Sequence, residues 1–163
     1  MLDLRFDERG LTGREAGAAD PALISALAAG MMLVDTGQRR VSGEIIDRGS
    51  YRAEETAELV LAADDVAIGL REGSLARVLA GMRRSAAAKV ARYPEANASA
   101  TAIAQRLTPL GAEVVRMCGA GGGGHVLVWA PEDRHAALAA ALGGAEVRRP
   151  AIAAPGVRIE EGA

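Results

Sequence analysis

Leu2, Leu4 and Phe6 alternate with Asp3, Arg5 and Asp7, a period of two that predicts a short strand. Residues 10–21, "LTGREAGAADP" with the glycine before it, read as a loop. Asp20 and Pro21 then cap and open a helix that runs through Ala29. The apolar run "MMLVD" (31–35) reads as a buried strand, and "TGQRR" (36–40) breaks it. "VSGEIIDRGS" (41–50) begins a helix, with Gly49 as punctuation. Ser50 is placed to cap a long helix marked by Ala57, Val60, Leu61, Asp64 and Leu70. Ser74 caps the next, where Leu75, Val78, Leu79 and Met82 form a stripe at i, i+3, i+4, i+7 and Pro94 ends it. A third helix spans 95–110, with Ala100, Ile103, Ala104 and Leu107 on one face. "AEVVRMC" (112–118) and "HVLVWA" (125–130) read as strands. Pro131, Glu132 and Asp133 open a helix that Gly143 ends. A last strand is expected within "GVRIEE" (156–161). Helices and strands mix without regular βαβ alternation, so the expected class is α+β, with residues 1–163 as one domain.

Composition narrows the function classes. Half of the residues are hydrophobic, which excludes a disordered chain. Phe6, Tyr51, Tyr93 and Trp129 are the only aromatics, so the core is aliphatic. The net charge of -2 and the lack of stacking side chains argue against nucleic acid as a partner. No apolar run approaches a membrane span, and the opening "MLDLRFDERG" does not resemble a secretory signal. Cys118 is the one cysteine, which allows no internal disulfide and fits a reducing cytoplasm.

The segment "MCGAGGGGHVLVWAP" (117–131) carries the chemical question, because five of the six residues from Gly119 to Gly124 are glycine. It satisfies GxGxxG at Gly119, Gly121 and Gly124, but a dinucleotide loop needs a helix after it, and a strand follows here. A Walker loop needs Gly-Lys-Ser/Thr, whereas His125 follows Gly124. What remains is a strand-to-strand connection whose successive amides can form an anion-binding nest. The plain alternative is a flexible turn, which needs one or two glycines rather than five. Other candidates have ordinary readings beside functional ones. Arg116, mid-strand, serves either a phosphate or an exposed sheet face. Cys118 reads as a small core residue. His125 and His135 do not make a metal motif, and His135 reads as a helix-surface residue. Asp64 and Asp65 read as a solvated helix face.

"GAGGGGHVLVWAP" resembles the third motif of the GHMP kinases, the superfamily of galactokinase, homoserine, mevalonate and phosphomevalonate kinases. Arg116 takes the place where the sugar-kinase branch often has lysine, and Gly111 with Ala112 matches a preceding "GA". "MMLVDTGQRRVSGEII" resembles the "LLLVYTGxxRxS" segment of the heptose 7-phosphate kinase branch: Thr36, Gly37, Arg39 and Ser42 match, and Asp35 replaces tyrosine. "APGVRI" (154–159) resembles that branch's terminal strand.

The resemblance implies a ferredoxin-like α+β fold with added helices. It implies ATP and Mg2+ as cofactors, a sugar phosphate or similar small molecule as substrate, and Gly119, Ala120, Gly121, Gly122, Gly123 and Gly124 beside the nucleotide. Thr36, Gly37, Arg39 and Arg116 become the substrate-side residues. The family's PxxxGLGSSA loop and catalytic aspartate belong to an N-terminal half and have no match in these residues. The tryptophan and lysine expected on the helix before the glycine motif have none in "LARVLAGMRRSAAAK" (75–89). The expectation is therefore the C-terminal half of a kinase, inactive alone and completed by a separately encoded N-terminal half. The alternative is a non-catalytic module that binds a metabolite or partner; self-association stays open in both.

Overall fold

The structure is a computed structural model that describes residues 2–7, 10–15, 19–38 and 53–151. Strands β1 (Leu2–Asp7) and β2 (Gly10–Glu15) pair antiparallel, from Leu2 opposite Glu15 to Asp7 opposite Gly10. Helix α1 (Pro21–Ala29) follows, with the Asp20 carboxylate accepting from the Ala22 amide at 2.9 Å. Strand β3 (Met31–Asp35) leads towards α2 (Ala53–Glu72), and a turn at Gly73 (φ +69°) joins α2 to α3 (Leu75–Arg92). Then come α4 (Ala98–Leu107), β4 (Val114–Met117), β5 (His125–Trp129), α5 (His135–Ala141) and β6 (Val147–Arg148).

The main sheet has the order β4-β5-β3-β6, with antiparallel neighbours throughout. Taking α4 and α5 as the crossover helices, the chain runs βαββαβ with the first strand beside the third and the last. That is the ferredoxin-like arrangement, to which α1 and the α2–α3 pair are added. The two sheet faces follow from the period-two register. Met32, Val34, Val126, Val128 and Met117 lie on one face and pack with Ala100, Leu107, Leu138 and Leu142 of the α4 and α5 layer. Val114 and Trp129 lie on the other, packed with Leu23, Leu27, Val78 and Leu79 of α1 and α3. Trp129 Nε1 donates to the Leu27 carbonyl at 3.0 Å, so the one indole is both packed and satisfied.

Glycines let α2 and α3 approach closely. A Cβ on Gly69 would lie 2.8 Å from Val78 N, and one on Gly81 would lie 2.7 Å from the Ala62 carbonyl. Ion pairs then line the outside of the pair: Arg84 reaches Glu58 at 2.7 Å and Asp65 at 3.5 Å, and Arg77 reaches Glu72 at 3.2 Å.

Several expectations need correction. Residues 10–15 are strand rather than loop, because backbone pairing with β1 overrides the weak strand preference of Gly10 and Gly13. The single helix expected over 95–110 is an α-helix flanked by 3-10 turns at Glu95–Asn97 and Thr108–Leu110. Pro109 supplies no amide to continue the helix, and Gly111 ends the second turn at φ +103°. The helix expected at Pro131 likewise opens as a 3-10 turn (Glu132–Arg134) before α5. Strand β6 lies earlier than the strand expected at 156–161, which falls outside the described residues, as do the helix begun at 41–50 and the Ser50 expected to cap the long helix after it. Among the described residues, no helix is long and apolar enough to cross a membrane.

Candidate functional site

The β4–β5 connection is built from left-handed backbone. Gly119, Gly121, Gly122, Gly123 and Gly124 have φ of +67°, +107°, +73°, +133° and +83°, while no non-glycine residue among those described has positive φ, so Ala120 does not. L-residues with a side chain visit this region only at a cost. Two of the glycines also allow close approach. A Cβ on Gly121 would lie 2.7 Å from the Ala96 carbonyl oxygen, and one on Gly123 would lie 2.6 Å from that of Gln38.

The turn is fixed from both sides. Gly122 N donates to Ala96 O at 2.7 Å, and Gly124 N donates to Gln38 O at 2.9 Å. At its base, Cys118 N donates to His125 O at 2.9 Å. Thr36 donates to the Gly124 carbonyl twice, from its amide at 2.9 Å and from Oγ1 at 2.8 Å. The loop after β3 is braced in turn: Gly37 N donates to Asp35 Oδ1 at 2.8 Å and Gln38 N to Thr36 Oγ1 at 3.3 Å. Gly37 has φ +68°. The two segments singled out in the sequence are thus one structural unit. The amides of Gly119, Ala120, Gly121 and Gly123 make no hydrogen bond among the described residues, and successive amides in such a turn are donors of the kind that suits an anion.

Lys89, the only lysine in the chain, completes this unit. From the last turns of α3 its Nζ donates to Met117 O at 3.2 Å and also to Gly119 O. Asn97, 1% exposed, brackets the same corner, with Nδ2 donating to Lys89 O at 3.1 Å and Tyr93 O at 2.8 Å. Reading the sequence for a family lysine passed over Lys89. The signal that would have found it is its isolation among arginines: a compact ammonium with three rotatable donors is not interchangeable with a planar guanidinium fork.

The other singled-out residues are placed differently. Arg116 is half-buried in β4, and its Nε donates to Ser85 Oγ of α3 at 3.2 Å. Arg39 and Ser42 lie outside the described residues. His135 is buried, not on the helix surface: Nε2 lies 3.1 Å from Ala130 O and Nδ1 3.2 Å from an Arg149 guanidinium nitrogen. Because a carbonyl only accepts, Nε2 carries the proton and Nδ1 accepts from arginine. His125 and Asp35 face each other across β5 and β3. Beside them Arg148 holds the exposed Glu146 carboxyl below its ordinary value through a 2.7 Å contact. Among the described residues, no three His, Cys, Asp or Glu gather to hold a metal ion.

The geometry has counterparts in known proteins. Residues 66–146 match the family described as GHMP kinases C terminal. No curated protein has a sequence that matches the chain. Among solved structures it is similar to L. major mevalonate kinase in complex with R-mevalonate, with TM-score 0.64 and 14% identity over 93% of this chain and 50% of that one. It is also similar to a candidate sugar kinase from Campylobacter jejuni, with TM-score 0.61 and 15% identity over 85% of this chain and 40% of that one. At such identities the likeness is one of fold, and the chain spans half or less of each kinase. Residues 66–146, which carry α3, α4, β4, the glycine turn, β5 and α5, match the C-terminal domain of the GHMP kinases, and the chain shares the fold of such kinases.

Proposed function

We propose that this chain supplies the C-terminal half of an ATP-dependent GHMP-type kinase acting on a sugar or sugar phosphate, with heptose 7-phosphate as the favoured substrate class. The observation that carries this reading is the union of the two singled-out segments: the Thr36–Gln38 loop and the glycine turn hold each other through Gly124. Phosphoryl transfer is largely positioning and charge stabilisation, and this unit offers fixed amides rather than a reactive side chain.

In this reading the amides of Gly119, Ala120, Gly121 and Gly123 face the phosphates, and the absence of side chains lets a nucleotide loop approach. ATP supplies the transferred phosphoryl group. Mg2+ accompanies it, and its protein ligands are assigned to the N-terminal half. Thr36 and Gly37 shape the substrate side, Arg39 offers a bidentate fork to a sugar phosphate, and Arg116 stands further along β4. The base that takes the hydroxyl proton is also assigned to the N-terminal half, so the chain alone is inactive and works in the cytoplasm with that partner.

The test has two stages. First, pyrophosphate is titrated into the chain, and amide resonances of residues 118–124 are followed by NMR. Saturable shifts confined to the turn and the Thr36–Gln38 loop are expected; their absence overturns the anion role. Second, the chain is used as bait in its native host, and any captured protein with a GLGSSA-type loop is co-purified with it. ATP consumption by the pair that depends on a sugar phosphate, with none by the chain alone, supports the split kinase. Pyrophosphate binding without turnover by such a pair moves the assignment to a non-catalytic binding module.

A further inference from the structure

Beside the glycine turn, a cavity of about 420 Å³ opens between α3, α4 and β4. Its walls are Ala86, Ala87, Val90 and Ala91 from α3, and Ala100, Thr101 and Ala104 from α4, with Asn97 at the corner. Val115, Arg116 and Met117 form its floor. Neighbouring residues of a strand point to opposite faces, so a cavity that touches all three lies along the strand's edge. β4 is the outer strand of the sheet.

The ladder fixes which polar groups face this edge. Cys118 N bonds His125 O, and Arg116 is in register with Leu127. In an antiparallel pair such bonds recur at every second residue. Arg116 therefore turns its amide and carbonyl towards β5, while Val115 and Met117 turn theirs outwards. Lys89 already covers the Met117 carbonyl. The Val115 amide and carbonyl are left facing the cavity. Asn97 stands at the same corner, 1% exposed, with an Oδ1 that has no hydrogen-bond partner among the described residues. A buried acceptor without a partner is unfavourable and rare.

The cleft is nearly three times the roughly 150 Å³ cavity that suffices for a benzene ring. The geometry points to a binding site for a small uncharged amide with an alkyl or aryl body. The body lies against the alanines, the amide N–H is donated to the Val115 carbonyl, and the ligand's carbonyl accepts from the Val115 amide. A polypeptide strand added to β4 fits less well, because Lys89 occupies the next edge carbonyl it would need. The site stands independently of the kinase reading.

The test is titration of 4-phenylbutanamide into the whole chain, followed by NMR, with 4-phenylbutanoate as a charged compound of the same shape. The expected result is saturable binding of the amide, with shifts at Asn97, Ala100, Thr101 and Val115. Ala86→Leu and Ala104→Leu, which fill the space from opposite helices, should each weaken binding about tenfold or more, a difference of ~1.4 kcal/mol. Both are used so that one misfolded variant does not decide the matter. Failure of the amide to saturate, or unchanged affinity in a folded filling variant, overturns the site. Tighter binding of the carboxylate overturns the ligand class and makes Arg116 its determinant.

Discussion

Thr36 and Gly124 stand 88 residues apart, and one carbonyl oxygen joins them: the Gly124 oxygen accepts from both the Thr36 amide at 2.9 Å and the Thr36 hydroxyl at 2.8 Å. The amide bond extends the β3–β5 ladder by one step. The hydroxyl bond is the part a side chain controls. Thr36→Val keeps the shape and removes the donor, and should cost about 1 kcal/mol. Thr36→Ser should recover most of it. Urea unfolding of the three proteins checks this; a loss in the serine variant with none in the valine variant would mean that the methyl group, not the hydroxyl, matters.

How much of this was legible beforehand depends on the range of the cause. Helix α1, its Asp20 cap, β3, β5 and the Ser74 cap of α3 follow from local patterns, and the structure has them where the sequence put them. β2 did not show, because "GLTGRE" has little strand character and takes its form from β1. β6 did not show because two residues against β3 make no periodicity. For the site, glycine density marked the turn and "TGQRR" marked the loop, yet nothing local said that they touch. The burial of His135 was equally hidden, since it depends on Ala130 and Arg149 meeting it.

The glycines of the turn are not equivalent. All five have positive φ, but Gly121 and Gly123 have a backbone oxygen where a Cβ would go, while Gly124 has nothing within 4 Å. Gly121→Ala and Gly123→Ala should each cost about 1–3 kcal/mol. Gly124→Ala should cost about 1 kcal/mol, the strain of the left-handed backbone alone. Thermal unfolding of the three variants ranks them, and a Gly124 variant as unstable as the others would contradict the packing argument.

Lys89 ties the end of α3 to the start of the turn. Lys89→Met should cost about 1–2 kcal/mol and speed hydrogen exchange at residues 118–124 more than in β5. Lys89→Arg should restore protection only in part, because a longer, planar guanidinium does not reproduce a compact ammonium at that position. Full rescue by arginine would show that charge alone suffices.

Acid should loosen the α2–α3 pair at a defined point. The hydrogen bond from Arg84 holds the Glu58 carboxyl below its ordinary 4.5. A lowered folded-state value gives stability that is present above 4.5 and lost as pH falls through the folded value. Glu58 is exposed, so the effect is small. Glu58→Gln should melt slightly lower than the parent at pH 7, and the difference should shrink at a pH below the lowered folded value. An equal difference at both pH values would place its source elsewhere.

A chain with one lysine among 163 residues offers acylating reagents a single side-chain amine. That amine is held by two carbonyls at the mouth of the glycine turn, so it reacts faster when the turn lets go. The rate of its modification by an activated ester, separated from the α-amine by peptide mapping, is a built-in reporter of how often the turn opens. No label has to be engineered into the protein to read it, and anything that clasps the turn shut will register as a slower reaction.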